Sequence, residues 1–199
     1  MTETQIREHL KGHDAWLQSN REGGRQLIVE GEQWTAIHLT GSDLSNARLS
    51  GCKFTDCHLE NCDFSNSDFL SARFLNCQFL KCPFVNADLR GVIAERCEFT
   101  GSNFTRADLT DAALASSMLA DCVFDWSWLV RTDLRFANLT GVHLENARLL
   151  RTRLYNEKQF QFARPSKITV QDLDFSREGN GSLLAGIEGL ERLLKNRTA

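Results

Sequence analysis

The chain predicts an all-β solenoid, in which one short coil after another winds around a shared core. Three observations predict it. From 37 to 156 every fifth residue is leucine or phenylalanine, running from Leu39 to Leu154 with Ala94 as the one exception, and the 24 repeats contain no insertion or deletion. Two residues before each of these centres sits a small side chain: Ala seven times, Cys seven, Ser five, Thr two, Val two and Ile37 once. Turn-forming residues occupy a third position, among them Gly41, Asn46, Gly51, Asn61, Asn66, Asn76, Asn86, Gly91, Gly101, Gly141 and Asn146.

A period of five fits neither a regular helix nor a continuous strand. On an α-helix each step would advance about 140°, smearing the apolar residues around the cylinder. On a flat strand, successive centres would point to opposite faces. The two inward positions of one repeat are two residues apart, on one side of a short extended segment. The chain must therefore turn once per repeat to return the next pair to the same interior. A repeat this short cannot bury its own apolar face, so stacked neighbours create the core.

Taken in order, residues 2–18 predict an amphipathic helix. Thr2 and Gln5 match a capping box, and Ile6, Leu10 and Leu17 share one side, with Trp16 adding apolar area. The helix would cover the open end of the stack. Gly23 and Gly24 mark a turn, and Val29 and Trp34 already lie on the five-residue register, so a degenerate lead-in coil starts near Leu27. The repeats fill 37–156, after a helical cap and lead-in coil over 1–36. Beyond Leu154 the register fails, with Gln159 at the next centre. The tail, 157–199, carries Pro165, a Gly179-Asn180-Gly181 hinge and a predicted helix over 182–195. Its stripe of Leu183, Ile187, Leu190 and Leu194 would either cap the last coil or form a homodimer. Gly186 and Gly189 weaken this helix, so it needs a packing partner.

Segments such as "SNARL", "VNADL", "TRADL" and "RFANL" resemble the A(D/N)LXX consensus of the pentapeptide-repeat proteins, and the resemblance covers 120 of 199 residues. It implies the family fold, a right-handed quadrilateral parallel β-helix with four repeats per coil. The 24 repeats would then make about six coils, with helical caps at both ends. At a strand spacing of about 4.8 Å, six coils make a rod of roughly 29 Å. The cysteine-rich stretch "CKFTDCHLENCDF" is similar to the gyrase-protecting members. For those, the resemblance implies a DNA-mimicking rod that occupies the DNA-binding saddle of a type II topoisomerase, DNA gyrase or topoisomerase IV, and dimerises through its C-terminal end.

A formal net charge of -3 does not indicate a general nucleic-acid binder, so no direct nucleic-acid contact is expected. No apolar run approaches membrane-spanning length, and the polar stretch from Met1 to Asn20 does not read as a signal peptide. All seven cysteines fall on the small inward position, at spacings unlike those of zinc sites. They predict reduced, buried fillers and a cytoplasmic setting. Neither cofactor nor metal is expected.

With four repeats per coil, equivalent positions of successive coils stack in columns. One core column reads Leu44, Phe64, Phe84, Phe104, Phe124, Leu144, an aromatic ladder. Ala94 interrupts another, where a cavity or bend could form beside Val92. The outward positions around Leu39–Leu139 sum to -2, from Glu60, Glu98, Asp121 and Lys81. Those around Leu44–Leu144 sum to -3, from Asp43, Asp63, Asp125, Glu145 and Arg106, and the other two sides to +1 and +2. Asp68, Asp88 and Asp108 stack as consensus residues of the repeat. His38 and His58 stack beside Glu60 and read as solvated surface histidines. Met118, Trp126, Trp128 and Phe136 fall on outward positions, with Val123 and Val130. That is unusual for a wet surface and marks a patch either covered by the tail or met by a partner.

No nucleophile–base pair, phosphate loop or metal motif appears. The sequence reads as a non-enzymatic binding protein, with two uses open. In one, the acidic side carrying Asp43, Asp63, Asp125 and Glu145 meets a basic groove of a topoisomerase. In the other, the protein is a general protein–protein scaffold that binds through the Trp126/Trp128 patch.

Overall fold

Backbone pairing recurs once every four repeats. A computed structural model of the chain describes residues 1–155, 168–174 and 183–184. Parallel bridges run Ile28–Arg48–Asp68–Asp88–Asp108–Trp128–Arg148 along one column, with corresponding columns on the other sides. Four repeats therefore make one coil, and about six coils stack into a parallel β-helix. Two sides form continuous three-stranded sheets in the N-terminal coils. One comprises β1 (Gln33–Thr35), β3 (Lys53–Thr55) and β5 (Arg73–Leu75). The next comprises β2 (His38–Thr40), β4 (His58–Glu60) and β6 (Gln78–Leu80). We number the sides by their centres: first Leu39–Leu139, second Leu44–Leu144, third Leu49–Leu149, fourth Phe54–Leu154.

Apart from half-buried Ser42, the inward positions are buried as the register predicts, including Ala94, which keeps its place in the ladder through a 2.8 Å bond from its N–H to Ala113. Among the described residues the turn residue of every repeat adopts a left-handed backbone, with Asn46 at φ 60° and Gly101 at φ 72°. Asparagine and glycine tolerate that region best, which explains their frequency there. Two further local rules appear. The Asp or Asn before a centre accepts the N–H two residues on, as Asp43 does from Ser45, Asp63 from Ser65, Asp88 from Arg90, and Asn103 from Thr105. Several Ser, Thr and Cys at the small position reach back 23 residues to the carbonyl of a centre residue, as in Ser102 to Phe79, Thr132 to Leu109 and Cys122 to Phe99. The consensus polar residue is thus a turn cap, and the small residue often satisfies a buried acceptor.

All seven cysteines are free and buried. Burial pushes Cys52 up to about 11 and Cys122 up to about 12. In the stacked pairs Cys57–Cys77 and Cys62–Cys82 the neighbouring thiols act on each other, so that Cys57 and Cys62 are lowered while Cys77 and Cys82 are raised, burial raising the latter further. Access decides reactivity, because no cysteine exceeds 2% exposure. A thiol reagent is expected to find almost nothing in native protein and seven thiols after denaturation. A fast-reacting native thiol would refute this packing.

The helix α1 spans Glu3–Gln18, with Thr2 as N-cap and both halves of the Thr2–Gln5 capping box formed. Ile6 and Leu10 are buried, and so is His13. Its Nδ1 accepts the Leu27 N–H at 3.0 Å, and its Nε2 lies 2.9 Å from the Ser45 carbonyl. Gly24 turns the chain under the helix at φ 70°, and a Cβ there would overlap the backbone of Trp16 and Gly12. The lead-in coil is regular: Leu27, Val29 and Trp34 are buried, and β1 pairs in register with β3.

At the other end, β7 (Arg148–Leu150) pairs in parallel with β8 (Thr169–Gln171), and Arg153 bridges Asp174. Arg148 takes Thr169 as its partner, one position beyond the regular coil spacing, so pairing resumes out of register. Leu173 is fully buried. The helix expected over 182–195 is not what its first residues form. Leu183–Leu184 are extended as β10 and pair antiparallel with β9 (Leu173–Asp174). The open hydrogen-bonding edge of the last coil outcompetes the first turn of a glycine-weakened helix. Ile187, Leu190 and Leu194 lie outside the described residues.

Candidate functional site

The structure sets the second side's four carboxylates on one surface, in two groups. Asp43 is exposed and Asp63 half-buried near the N-terminal end, while Asp125 and Glu145 are half-buried near the C-terminal end. The two groups lie in different columns: Pro83, Asn103, Val123 and His143 continue that of Asp43 and Asp63, while Asp125 and Glu145 follow their centres. Asp125 Oδ1 accepts the Glu145 N–H at 2.8 Å, so these two are also tied to each other.

The sides differ more in neutralisation than in the number of acids. Among the described residues, Asp43, Glu60, Asp63, Glu98, Asp121 and Asp125 form no ion pair. On the third and fourth sides, Asp88 pairs with Arg90 at 2.5 Å, Asp111 with Arg131 at 2.6 Å, and Asp133 with Arg135 at 2.5 Å. Partial burial opposes ionisation of Asp88, but the Arg90 guanidinium outweighs it and holds the carboxyl below its ordinary value. Asp133 shows the same balance, with Arg135 and then Arg153 prevailing. The Asp68–Asp88–Asp108 column is therefore explained by turn capping and arginine pairing.

Met118, Trp126, Trp128 and Phe136 are exposed but do not form one patch. Trp126 lies at the turn between the second and third sides and Trp128 two residues on; they are 54% and 47% exposed. Phe136 lies at the turn between the fourth and first sides, next to the strand position Asn138 that bridges Met118. These are opposite edges of a four-sided coil. Spacing along the chain suggested proximity, but closure of the coil separates them. Arg148 stacks over Trp128 at 5.1 Å, and Tyr155 packs edge-on against Phe136 at 5.3 Å. Both turn aromatics adopt left-handed backbones, Trp126 at φ 63° and Phe136 at φ 60°, where a bulky side chain is disfavoured.

The first side carries a chain of side-chain bonds that residue spacing alone did not reveal. His58 Nδ1 lies 2.6 Å from Gln78 Oε1, and Gln78 Nε2 donates to Glu98 Oε2 at 2.8 Å. Among the described residues no group of three His, Cys, Asp or Glu side chains converges as a metal cage. Nor is any helix among them long and apolar enough to cross a membrane.

Family models described as "Pentapeptide repeat region" and "Pentapeptide repeats (9 copies)" match residues 72–154 and 36–78. No curated protein matches the chain. Among solved structures, a trypsin-treated form of QnrB1, a plasmid-mediated fluoroquinolone resistance protein, is similar with a TM-score of 0.53 at 17% identity, covering 86% of this chain and 94% of that one. A second trypsin-treated form gives 0.54 at 15% identity, covering 87% and 97%. Rfr23, a pentapeptide repeat protein from the cyanobacterium Cyanothece 51142, gives 0.44 at 18% identity, covering 55% and 85%. At these identities the likeness to QnrB1 establishes a shared fold.

Proposed function

The chain belongs to the pentapeptide-repeat family, and we propose that it is a non-enzymatic binding protein whose acidic first and second sides enter a basic, nucleic-acid-binding groove of a type II topoisomerase. The observation that carries this reading is the uneven neutralisation of charge. Asp43, Glu60, Asp63, Glu98, Asp121 and Asp125 on the first two sides lack ion-pair partners among the described residues, while on the other two sides Asp88, Asp108, Asp111 and Asp133 pair with arginines and Asp56, Asp68 and Glu95 do not. Likeness in fold to a fluoroquinolone resistance protein supports the choice of partner. A net of about five charges along ~29 Å is far sparser than duplex DNA, with one per ~1.7 Å. Shape and apolar contacts therefore supply much of the affinity, and the charges supply steering and salt dependence.

Supercoiling by DNA gyrase and decatenation by topoisomerase IV, each with added protein, test the proposal. Activity or quinolone sensitivity should change, and the effect should fade steeply with salt. Neutralising the second side by Asp43→Asn, Asp63→Asn, Asp125→Asn and Glu145→Gln should abolish it. Asparagine keeps the turn cap, as Asn103 shows, so the fold survives this set. Lysine at Asp43 or Asp63 would remove the cap as well as the charge. Unaltered topoisomerase activity and poison sensitivity at high protein concentration would sink the proposal.

A second reading, a scaffold unrelated to topoisomerases, is favoured by the exposed Trp126–Trp128 edge. Here Trp128→Ala would remove partner binding, and the neutralised set would be harmless.

A further inference from the structure

We propose that His38 and His58 form a two-histidine site for a borderline divalent transition-metal ion, Zn²⁺ being the type case, near the capped end of the first side. The two residues are directly paired in register on the adjacent parallel strands β2 and β4, with ring centroids 6.3 Å apart and planes inclined by 32°. His38 has 65% side-chain exposure, so the site is open to solvent.

Hydrogen bonding sets the tautomer of His58. Glu98 Oε2 can only accept, so the Gln78 amide must present Nε2 to it at 2.8 Å. Gln78 Oε1 then faces His58 Nδ1 at 2.6 Å and is itself an acceptor. The ring proton therefore sits on Nδ1, and neutral His58 keeps the Nε2 lone pair free. At His38 the nearest acceptor is a carboxylate at longer range. Glu3 Oε2 lies 4.0 Å from its Nδ1 and accepts the His38 backbone N–H at 3.3 Å, while Arg7 fixes the other oxygen of Glu3 at 2.7 Å. The carboxylate favours a proton on the nitrogen it faces.

His58 thus has a protein acceptor on Nδ1, the outer-shell arrangement of metal-binding imidazoles, while His38 Nδ1 faces the Glu3 carboxylate at 4.0 Å without a direct hydrogen bond. Binding one ion at ~2.1 Å from both Nε2 atoms would require the two rings to turn toward each other from their 6.3 Å centroid separation. Imidazole nitrogen suits Zn²⁺, Cu²⁺ or Ni²⁺ and not Mg²⁺ or Ca²⁺. No third side chain converges among the described residues, so water completes the coordination sphere. Because Glu3 belongs to α1, the bound ion would link the cap helix to two successive coils.

Calorimetric titration of Zn²⁺ into the full chain, with Mg²⁺ as control, tests the site. One Zn²⁺ should bind, and Mg²⁺ should not. His38→Ala and His58→Ala should each raise Kd at least about tenfold, and Gln78→Ala about tenfold by releasing the His58 ring. His143→Ala, on the second side, should change nothing. Zn²⁺ should raise the melting temperature of the wild type in a concentration-dependent way, and that rise should vanish in the histidine variants. Wild-type stoichiometry and affinity in the His38→Ala/His58→Ala double variant would overturn the site. A Kd unmoved by Gln78→Ala would overturn the orienting role of the hydrogen-bond chain.

Discussion

Phe84→Asp is expected to unfold the middle of the rod, while Val85→Asp, one residue on, should barely lower the melting temperature. Phe84 is fully buried and lies between Phe64 and Phe104, with centroids 5.1 and 5.0 Å away and planes within 14° and 5°. Truncating such a ring costs about 3–5 kcal/mol, and an unpaired buried carboxylate adds several more. The total approaches the ~5–15 kcal/mol that a whole domain has available. Val85 lies half-buried on the outer surface, where a carboxylate stays hydrated. Thermal melts followed by circular dichroism separate the two. Equal losses in both variants would mean that the inward and outward assignments are wrong.

This ladder was legible in the sequence because it depends only on the five-residue period and a coil of four repeats. The Phe64–Phe84–Phe104–Phe124 column follows from counting. His13 was legible only in hindsight. It continues the spacing of Ile6, Leu10 and Leu17 on the helix face, but a histidine there carries no mark of burial until its two backbone partners are brought to it from Leu27 and Ser45.

Those partners lead to the second large effect: mild acid should loosen the N-terminal cap. The imidazole is buried, and burial holds its pKa below the ordinary histidine value, against the Ser45 carbonyl and the Asp43 and Asp14 carboxylates, which favour the proton. Trp16, stacked at 5.5 Å, is the ring beside it. A proton on Nδ1 would confront the Leu27 N–H with a second donor, so the docked helix holds neutral His13. The unfolded chain titrates near ~6.5 and the folded one lower. Stability is therefore fully present above ~6.5 and is lost progressively as pH falls from there through the folded value. His13→Ala should cost roughly 2–4 kcal/mol at neutral pH, because the Leu27 N–H and Ser45 C=O both lose a buried partner. Hydrogen exchange of the α1 amides between pH 7.5 and 5 is the measurement. In the wild type their protection should fall with pH beyond the intrinsic rate change; in His13→Gln that dependence should disappear. Protection that stays flat in the wild type would show that His13 does not govern the cap.

The sequence by itself determined which side chains are inside, which are outside and which stack, because a turn in every repeat is a local property that depends on nothing farther away. It placed all seven cysteines in the core and the four acids of Asp43, Asp63, Asp125 and Glu145 on one side. It also located the Thr2–Gln5 cap, whose two partners are three residues apart. Only the tertiary structure decided what shares an edge. Closing the coil into four sides put Trp126 and Trp128 on one edge and Met118 and Phe136 on the opposite one, although they are near in sequence. It also decided which charges are neutralised, since Arg131 reaches Asp111 on the neighbouring coil. At the C-terminal end, pairing to the open edge of the last coil drew Leu183–Leu184 into a strand. The five-residue pattern predicts which positions stack, but not which side chains reach one another to form an ion pair or which segment pairs with the open edge of the last coil.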